Sequence, residues 1–403
     1  MHKQVVIAGA GHAAGQCVAT LRQKKFAGSI VLLGNETWLP YQRPPLSKKY
    51  LAGELSAERL HFKPASFYAG IDVRPGTTVS EIDRDGRVIQ TMSGDSVVYD
   101  KLVIATGSRP RSMSVAGVDL DGVHYLRSID DVDRIRSKFH DGKRLVIVGA
   151  GYIGLEVAAV AAQLGLIVTV VEMEDRVMRR VVSPQLSDYY QGIHEQHGVE
   201  IRLNTTISAF SGEKHLESVV LDSGEEIAAD IVVIGIGIVP NVELAKNAGL
   251  EIDDGIVVDD HCRSGDANIF AIGDCTTHPN ALLQRSLRLE SVHNALEQAK
   301  TAAANICGED VSYAQVPWFW SDQYDLKLQI AGISQGYDQT VMRGDPETGA
   351  FACMYLRQGC LIAVDAVNSP KVFMQSKALI ANHAQIDPAL LANTETQLKD
   401  LAT

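Results

Sequence analysis

Short apolar runs alternate along the chain with longer stretches in which apolar and polar residues recur at helical spacing. This alternation predicts an α/β protein built on parallel sheets. Two stretches share one layout, over residues 5–36 and 145–172, in which an apolar strand, a glycine-rich turn, a helix and a second apolar strand follow one another. The sequence therefore predicts two copies of a β-α-β unit. Their predicted elements are strands Val5–Ala8, Ile30–Leu33, Leu145–Val148 and Val168–Val171, a first helix ending at about Gln23, and a second helix over Tyr152–Leu164.

Glycine-containing turns after buried strands divide the chain into domains. Tyr99–Pro110 and Asn268–Cys275 both end in such a turn, which predicts that the second β-α-β unit is inserted into the domain holding the first. From Tyr313, short alternating runs rich in tryptophan and tyrosine predict an antiparallel sheet with a terminal helix pair. The predicted ranges are 1–111 and 237–312 for the domain with the first β-α-β unit, 112–236 for the domain with the second, and 313–403 for a C-terminal α+β domain.

Composition narrows the function classes. The net charge of −12 at pH 7 disfavours binding to nucleic acid or to anionic membranes, because either needs a positive surface. No apolar run approaches the ~18 residues of a membrane-spanning helix, and Met1-His2-Lys3-Gln4 leads into a strand without a signal-like pattern. The six cysteines are scattered, with no Cys-x-x-Cys pair and no metal-ligand spacing. We expect a cytoplasmic protein with reduced thiols and no bound metal.

The first glycine turn, Gly9-Ala10-Gly11-His12-Ala13-Ala14, matches a dinucleotide-binding fingerprint with alanine in its last position. Gly9 suits the tight turn, Gly11 lets backbone approach a pyrophosphate, and Ala14 allows close packing of helix on strand. Asn35 and Glu36 end the following strand, where an amide or carboxylate accepts hydrogen bonds from ribose hydroxyls. A ligand-free turn is the alternative interpretation.

The second turn, Gly149-Ala150-Gly151-Tyr152-Ile153-Gly154, is a full fingerprint, and Glu172 ends the next strand. A carboxylate there bonds a ribose 2′-hydroxyl and repels a 2′-phosphate, which favours NADH over NADPH. Three nearby arginines leave the alternative open, since they suit either a phosphate site or a solvated helix face. They are Arg176, Arg179 and Arg180.

Two fingerprints in one chain predict two nucleotides and two Rossmann-like domains. The segments Ala105-Thr106-Gly107 and Ala271-Ile272-Gly273-Asp274 point to FAD in the first domain. Asp274 follows a buried strand and is a candidate partner for a ribityl hydroxyl of the flavin. An ordinary turn is the alternative for this segment.

Further motifs make the chain resemble the oxygenase-coupled NADH-dependent ferredoxin reductases, over about residues 5–390. Besides the two fingerprints, Ala105-Thr106-Gly107 and Ala271–Cys275, they are Arg43-Pro44-Pro45-Leu46-Ser47-Lys48, Gly235-Ile236-Gly237, Glu290-Ser291-Val292-His293-Asn294-Ala295 and Trp318-Phe319-Trp320-Ser321-Asp322-Gln323. The resemblance implies a glutathione-reductase-like fold with FAD and NADH as cofactors. It implies an FAD site formed by Gly9, Gly11, Ala13, Ala14, Asn35, Glu36, Arg43, Lys48, Val79, Ala105, Thr106, Gly107, Arg127, Asp274, Val292 and Trp320. It implies an NADH site formed by Gly149, Gly151, Ile153, Gly154, Glu156, Glu172 and Gly237.

Three residues are candidates for a catalytic role on the same resemblance: Lys48 near flavin N5, its partner Glu156, and Trp320 beside the flavin ring. An exposed lysine in a Pro-rich loop and a core tryptophan are the respective alternatives. A helix is also predicted over Glu290–Ile306, whose N-terminus would stabilise negative charge on reduced FAD.

The cysteine pattern separates the possible reactions. Disulfide reductases need a cysteine pair beside the flavin and peroxidases a single cysteine, whereas the segment from Arg43 to Lys48 has none. Cys17 and Cys275 are expected to be packing residues. FAD accepts a hydride and releases single electrons, so the predicted acceptor is an acidic [2Fe-2S] ferredoxin that serves a cytochrome P450 or a Rieske-type oxygenase.

Two alternatives stay open: a rubredoxin reductase or NADH oxidase on the same scaffold, and an NADH-sensing flavoprotein resembling apoptosis-inducing factor. Docking of an acidic ferredoxin needs local basic residues despite the negative net charge. The candidates for this docking role are Lys63, Arg285, Arg288 and Lys300. The alternative for each of them is an ordinary solvent-exposed residue with no docking role.

Overall fold

A computed structural model of the chain describes residues 3–401, which divide by their contacts into two units. Unit 1 comprises residues 3–43, 58–109 and 239–317, and unit 2 comprises residues 44–57, 110–238 and 318–401. The strands are β1 Gln4–Ala8, β2 Ser29–Leu33, β3 Asp72–Arg74, β4 Val79–Asp83, β5 Val88–Thr91, β6 Ser96–Val98, β7 Lys101–Ile104, β8 Ser108–Pro110, β9 Val123–Tyr125, β10 Arg144–Val148, β11 Ile167–Val171, β12 Glu200–Arg202, β13 Ile207–Ser211, β14 Ser218–Leu221, β15 Glu226–Ala228, β16 Ile231–Ile234, β17 Ile238–Pro240, β18 Ile256–Val257, β19 Ile269–Ala271, β20 Thr276–Asn280, β21 Arg285–Arg288, β22 Trp318–Gln323, β23 Leu326–Gly332, β24 Gln339–Asp345, β25 Ala350–Arg357 and β26 Cys360–Val367.

The helices contain fewer residues in total than the strands, and one helix follows each glycine fingerprint. They are α1 His12–Gln23, α2 Ile129–Arg136, α3 Tyr152–Gln163, α4 Pro184–Gln196, α5 Glu243–Asn247, α6 Val292–Ile306, α7 Pro370–Ala381 and α8 Pro388–Ala392. Short 3-10 helices span Pro44–Ser47, Ala57–Leu60, Ala65–Tyr68, Pro346–Thr348 and Leu398–Leu401. Within residues 3–401, no helix combines the length and apolarity that crossing a bilayer requires.

Unit 1 is built on a parallel sheet with the strand order β19-β7-β1-β2-β3. Side chains alternate along β1, so Val5 and Ile7 pack beneath α1 and α6, while Val6 and Ala8 face the opposite side. That opposite side also buries Ile89 from the antiparallel sheet β4-β5-β6. Both faces of the sheet are covered, as parallel sheets require.

Unit 2 contains a second parallel sheet, with the order β12-β11-β10-β16-β9, and two antiparallel sheets. The small sheet β13-β14-β15 buries Phe210 and Val219 against Val146 and Val148 of β10. The larger sheet, β22-β23-β26-β25-β24, is covered by α7. The predicted fold class, two Rossmann-like domains with a C-terminal α+β region, is confirmed.

The predicted helix boundaries agree with the structure to within two residues. The first helix ends at Gln23 as predicted, and the second ends at Gln163 rather than Leu164. The predicted start of α6 at Glu290 is wrong, since the helix begins at Val292. Ser291 is the reason, because its extended backbone and its hydroxyl, which accepts from Asn294 N at 3.1 Å, form an N-cap.

Candidate functional site

The first glycine turn connects β1 to α1 in unit 1 and leaves room for a phosphate group. Gly9 has φ +120°, and a Cβ atom there would lie 2.1 Å from the carbonyl oxygen of Ala105, so only glycine fits. A Cβ on Gly11 would meet nothing within 4 Å. Gly11 is also the N-cap of α1 and offers no side-chain partner to its first N–H groups. The turn therefore combines open space with a helix N-terminus that has no side-chain cap, which is what a pyrophosphate needs.

The other predicted FAD segments of unit 1 converge on this turn. Gly273 has φ +84°, and its Cβ position lies 3.2 Å from Cβ of Ala13 and 3.9 Å from that of Ala295. Val292, at the start of the helix carrying Ala295, therefore belongs to the same neighbourhood. Ala105, Thr106 and Gly107 follow β7, and Ser108 Oγ donates to Asp274 Oδ2 at 2.8 Å.

The predicted ribose-binding position lies at the end of β2. Asn35 is exposed, whereas the carboxylate of Glu36 accepts from Arg43 Nη2 at 2.5 Å and from Tyr41 Oη at 2.6 Å. Burial opposes the charge of Arg43, but Tyr41 and Glu36 outweigh burial and raise the guanidinium pKa. Val79 starts β4 two residues after Thr77, and the N–H groups of Gly76 and Thr77 donate to Glu36 O and Gly34 O. The Arg43 side chain is thus a charged group fixed in position by Glu36.

The second glycine turn, in unit 2, repeats this geometry between β10 and α3. Gly149 has φ +100°, and its Cβ position lies 2.6 Å from Gly235 O, while a Cβ on Gly151 would meet nothing within 4 Å. Gly154 brings α3 close to the strand, since its Cβ position lies 2.1 Å from Gly149 O. Ile153 is 43% exposed at the start of α3, where an apolar side chain at the turn can contact a ligand. The residues present therefore fit a second dinucleotide.

Glu172 lies at the mouth of this second turn. Its carboxylate accepts from Ala150 N at 2.6 Å and from Glu174 N at 3.0 Å, so the side chain is fixed against the fingerprint backbone. Gly237 has φ +102°, and its Cβ position lies 3.7 Å from Arg180 Nη2. Arg176 and Arg179 are engaged within the chain, Arg176 with Val182 O and Ser187 and Arg179 with Asp175 and Glu174.

Lys48 and Glu156 form an ion pair inside unit 2. Lys48 Nζ lies 2.7 Å from Glu156 Oε2, and their side chains are 16% and 1% exposed. The same oxygen accepts from Ser47 Oγ at 2.5 Å, and Oε1 accepts from Ser321 Oγ at 2.6 Å. The alternative of an exposed lysine in a loop is wrong, because Lys48 follows a 3-10 helix and is largely covered.

Trp320 and Arg127 are the other predicted FAD residues in unit 2. Trp320 is half-buried on β22 and contacts Trp318, with ring centroids 5.6 Å apart. Arg127 precedes α2, and its N–H donates to Asp131 at 3.1 Å. Lys48, Arg127 and Trp320 therefore lie in unit 2, and the remaining predicted FAD residues lie in unit 1.

The cysteines form no disulfide, and burial protects several of them from ionisation. All six are free, and four of them are buried. Burial raises the pKa of Cys17 to about 12 and that of Cys353 to about 11, and it also raises the pKa of Cys275. Thiols with such values stay protonated near pH 7, so they are poor nucleophiles.

The four basic docking candidates differ in their surroundings and exposure. Arg288 is engaged by Glu290 and Asp254, and Lys300 by Glu297 at 2.6 Å. Lys63 Nζ lies 5.6 Å from the ring centroid of Phe62 and is half-buried. Arg285 is exposed on β21.

Sequence reasoning missed several residues that support these groups. Ser47 and Ser321 lie within the motifs of residues 43–48 and 318–323, yet nothing in these motifs indicates that their hydroxyls donate to Glu156. Gln298 on α6 is fully buried, and its Oε1 accepts from Gly273 N at 2.7 Å and Thr276 Oγ1 at 3.1 Å. Gln298 thereby ties α6 to the turn that carries Asp274.

Comparisons with known proteins agree with this geometry. The family model for pyridine nucleotide-disulphide oxidoreductases matches residues 3–299, and a model for the reductase C-terminal domain matches residues 318–402. Rhodocoxin reductase of Rhodococcus erythropolis is 43% identical over 400 residues, which cover 98% of this chain and 93% of that protein. A rubredoxin-NAD(+) reductase of Pseudomonas putida is 40% identical, over 91% of this chain and 96% of that protein.

Solved structures extend the likeness to three dimensions. The ferredoxin reductase for the CYP199A2 system of Rhodopseudomonas palustris has a TM-score of 0.97 at 39% identity, and the match covers 100% of both chains. The reductase in the covalent putidaredoxin reductase-putidaredoxin complex has a TM-score of 0.96 at 40% identity, over 99% of this chain and 98% of that chain.

Proposed function

The chain belongs to the pyridine nucleotide-disulphide oxidoreductase family, and on that premise we propose that it is an FAD-containing NADH:ferredoxin oxidoreductase. The resemblance to ferredoxin reductases inferred from the sequence is confirmed, together with the cofactor class of FAD and NAD(P)H. The acceptor is a [2Fe-2S] ferredoxin that supplies a cytochrome P450 or a Rieske-type oxygenase. The enzyme operates in the cytoplasm, where its thiols stay reduced.

The observation that carries this proposal is the repeated glycine turn, present once in each unit. Gly11 and Gly151 both cap a helix without a side-chain partner and both face open space, so each turn suits one pyrophosphate. The protonated, buried cysteines favour direct electron transfer over a thiol relay.

We assign FAD to the domain of residues 1–111 and 237–312, and NADH to residues 112–236, with residues 313–403 as the C-terminal domain. The FAD site comprises Gly9, Gly11, Ala13, Ala14, Asn35, Glu36, Arg43, Val79, Ala105, Thr106, Gly107, Arg127, Asp274 and Val292, with Lys48 and Trp320 at the flavin ring. The NADH site comprises Gly149, Gly151, Ile153, Gly154, Glu156, Glu172 and Gly237.

Bound FAD supplies the chemistry of accepting a hydride and releasing electrons one at a time. Lys48 contributes a fixed positive charge, because its ammonium group is held by Glu156 at 2.7 Å instead of moving freely in water. The N-terminus of α6 contributes a second partial positive charge. Trp320 contributes an aromatic surface at the flavin. These groups favour the reduced cofactor.

Rubredoxin reduction is the second candidate, and the 40% identity to a rubredoxin-NAD(+) reductase is the observation that favours it. Both candidates use the same hydride step and differ in the protein that accepts the electrons. An acceptor panel therefore separates them.

The test is an anaerobic titration with NADH and then NADPH, followed by mixing of separate samples of the reduced protein with ferredoxins, rubredoxins and oxygen. We expect NADH to bleach the flavin absorbance and a ferredoxin to restore it rapidly. Restoration by rubredoxin alone would select the second candidate, and rapid restoration by oxygen alone an NADH oxidase. A long-lived charge-transfer band that no acceptor removes would indicate an NADH sensor.

Docking of an acidic ferredoxin is tested separately. Reversal of two unit 1 charges, K63E and K300E, should lower the rate of ferredoxin reduction, most strongly at low salt, and leave ferricyanide reduction unchanged. Equal losses with both acceptors would contradict a docking role for these lysines.

A further inference from the structure

A chain of hydrogen bonds leads through unit 2 from Glu156 to Tyr324. Ser321 Oγ lies 2.6 Å from Glu156 Oε1, and Gln323 Nε2 lies 3.2 Å from Ser321 Oγ. Gln323 Oε1 lies 2.9 Å from His194 Nε2, and His194 Nδ1 lies 3.2 Å from Tyr324 Oη. Glu156, Ser321, Gln323 and His194 are each at most 1% exposed. Solvent therefore does not supply their hydrogen bonds.

The local fold explains why these side chains meet. Side chains alternate along β22, so Phe319, Ser321 and Gln323 point to one face, where the ring of Phe319 packs on Tyr152 of α3 with centroids 4.9 Å apart. His194 reaches the same face from α4. On β23, the residues paired with Ser321 and Gln323 are the apolar Leu328 and Leu326.

The ionised carboxylate of Glu156 fixes the direction of every hydrogen bond in the chain. A carboxylate only accepts, so Ser321 must give its single hydroxyl proton to Glu156 and can only accept from Gln323. The Gln323 atom at Ser321 is therefore the amide nitrogen, which turns the amide oxygen to His194. His194 must then donate from Nε2, which leaves Nδ1 to accept from Tyr324.

Neutral His194 suits this arrangement. Burial lowers the pKa of His194 to about 4, although the Gln323 hydrogen bond opposes that shift. A neutral imidazole carries one N–H, so its tautomer is decided by the chain rather than by solvent. Among residues 3–401, six titratable or charged groups adjoin the chain of hydrogen bonds. His197, the C-cap of α4, stacks on Tyr324 with ring centroids 3.8 Å apart and also lowers the pKa of His194, and Tyr152 on α3 interacts with Glu156. The others are Glu156 on α3, His194 on α4, Lys48 after the Pro44–Ser47 helix, and Tyr324 after β22.

All donors thus point towards Glu156. Ser321 donates to one carboxylate oxygen, and Ser47 and Lys48 donate to the other. Hydrogen bonds to a buried charge are stronger than those between neutral groups, and each further donor in the chain polarises the next. The Lys48 ammonium is held in place by this supported charge.

We infer that Ser321, Gln323 and His194 are positioning residues. They form a chain of hydrogen bonds in which every donor points towards Glu156. This chain holds the Glu156 carboxylate in place, and the carboxylate in turn fixes the position of the Lys48 ammonium group. This inference rests on the proposed function where it connects Lys48 to flavin reduction. The direction of the chain does not depend on it.

The direction is tested first, by NMR of the flavin-loaded protein with 15N-labelled histidine, with His194 assigned from an H194N variant. We expect one neutral tautomer at pH 7, protonated at Nε2 and unprotonated at Nδ1. The opposite tautomer, or a mixture of the two, would overturn the inference.

The effect on the anchor is tested by anaerobic stopped-flow bleaching of the flavin with NADH. The S321A variant should lower the rate constant about tenfold, as expected for the loss of a hydrogen bond to a charged group. The matched control is S376A, which removes another fully buried hydroxyl of the C-terminal region, one without a hydrogen-bond partner among the described residues. S376A should bleach at the wild-type rate, and equal losses in the two variants would contradict a positioning role.

The Q323E variant separates a positioning role of Gln323 from a purely structural one. It keeps the shape of the side chain and changes only its capacity to donate a hydrogen bond. The protonated introduced carboxyl can donate to Ser321 and accept from His194, as the amide does, whereas the ionised form cannot donate. The rate of Q323E relative to wild type should therefore fall as pH rises through the titration of this carboxyl. Q323L should be slow at every pH.

If the ratio of the Q323E bleaching rate to the wild-type rate were constant across pH, the inference would be overturned, even if S321A failed to fold. Absence of bleaching in the wild-type protein would instead contradict the proposed function. The His194 tautomer would still test the direction of the chain in that case.

Discussion

The ammonium nitrogen of Lys48 lies 2.7 Å from a carboxylate oxygen of Glu156, whose side chain is almost fully shielded from solvent. Removal of one member of such a pair costs more than removal of both, because the remaining charge stays buried without its counterion. K48M should therefore lower the free energy of unfolding by about 3 kcal/mol, and the K48M/E156Q double variant should recover part of this loss. Urea denaturation at one fixed FAD concentration measures both values. A double variant less stable than K48M would contradict the pairing.

Alanine at Gly11 or at Gly151 should leave the stability of the protein nearly unchanged, but each substitution should weaken the binding of a different cofactor. G11A should fold with an unfolding free energy within about 1 kcal/mol of wild type, because its methyl group meets nothing in the protein, yet bind FAD at least tenfold more weakly. G151A should keep FAD and raise the KM for NADH. Fluorescence titration of the apoprotein and steady-state kinetics measure these effects.

Gly9 provides the contrast to this pair. G9A would place a methyl group 2.1 Å from Ala105 O at φ +120° and should fail to fold stably. Retention of full FAD affinity in G11A would contradict the assignment of the first turn.

Glu172 should govern the choice between NADH and NADPH. Loss of its charge in E172Q removes repulsion of a 2′-phosphate, worth about 1 to 4 kcal/mol at 4 Å, and should raise the ratio of kcat/KM for NADPH to that for NADH about tenfold or more. The matched control is E174Q, whose carboxylate pairs with Arg179. An unchanged ratio in E172Q would mean that the nearby arginines decide the preference.

Asp365 should make stability depend on pH. Complete burial raises its pKa from 3.8 to about 7, although its hydrogen bond from Tyr355 opposes this, and Oδ1 has no partner among the described residues. The folded state then binds a proton that the unfolded state has already lost, so stability falls as pH rises from about 4 to about 7. The loss for this one group is about 4 kcal/mol.

D365N should remove this dependence. Urea denaturation at pH 5 and pH 8 should show a smaller difference for D365N than for wild type, with D365N the more stable at pH 8. Parallel pH profiles for the two proteins would contradict protonation of Asp365 in the folded state.

The β-α-β units could be predicted because their signals are local. Glycines at fixed spacing between an apolar run and a helical pattern identified α1 and α3 to within one residue. The start of α6 was missed because the capping hydroxyl of Ser291 decides it, and the surrounding hydrophobic pattern does not show that cap.

The surroundings of Glu156 could not be predicted from the sequence. Its partners Ser47 and Ser321 are 109 and 165 residues away along the chain, and His194 and Gln323 are separated by 129 residues. Serine, glutamine and histidine are common types without a characteristic spacing, so only tertiary packing brings them together. The resemblance identified Lys48 and Glu156 as a pair and left the hydroxyls that complete the site unmarked.

The alternation along β22 has a consequence for how the segment tolerates change. Trp318 and Trp320 contact each other on one face, where Trp318 also contacts Phe373. Phe319, Ser321 and Gln323 occupy the other face. In a saturation library over residues 318–323, the type of substitution that is tolerated should therefore alternate from each residue to the next. The two sets of alternating positions would respond to different selections. One set would be sensitive to changes of aromatic shape, and the other to the loss of a single proton donor. Each face of the strand can therefore be evolved without redesign of the other.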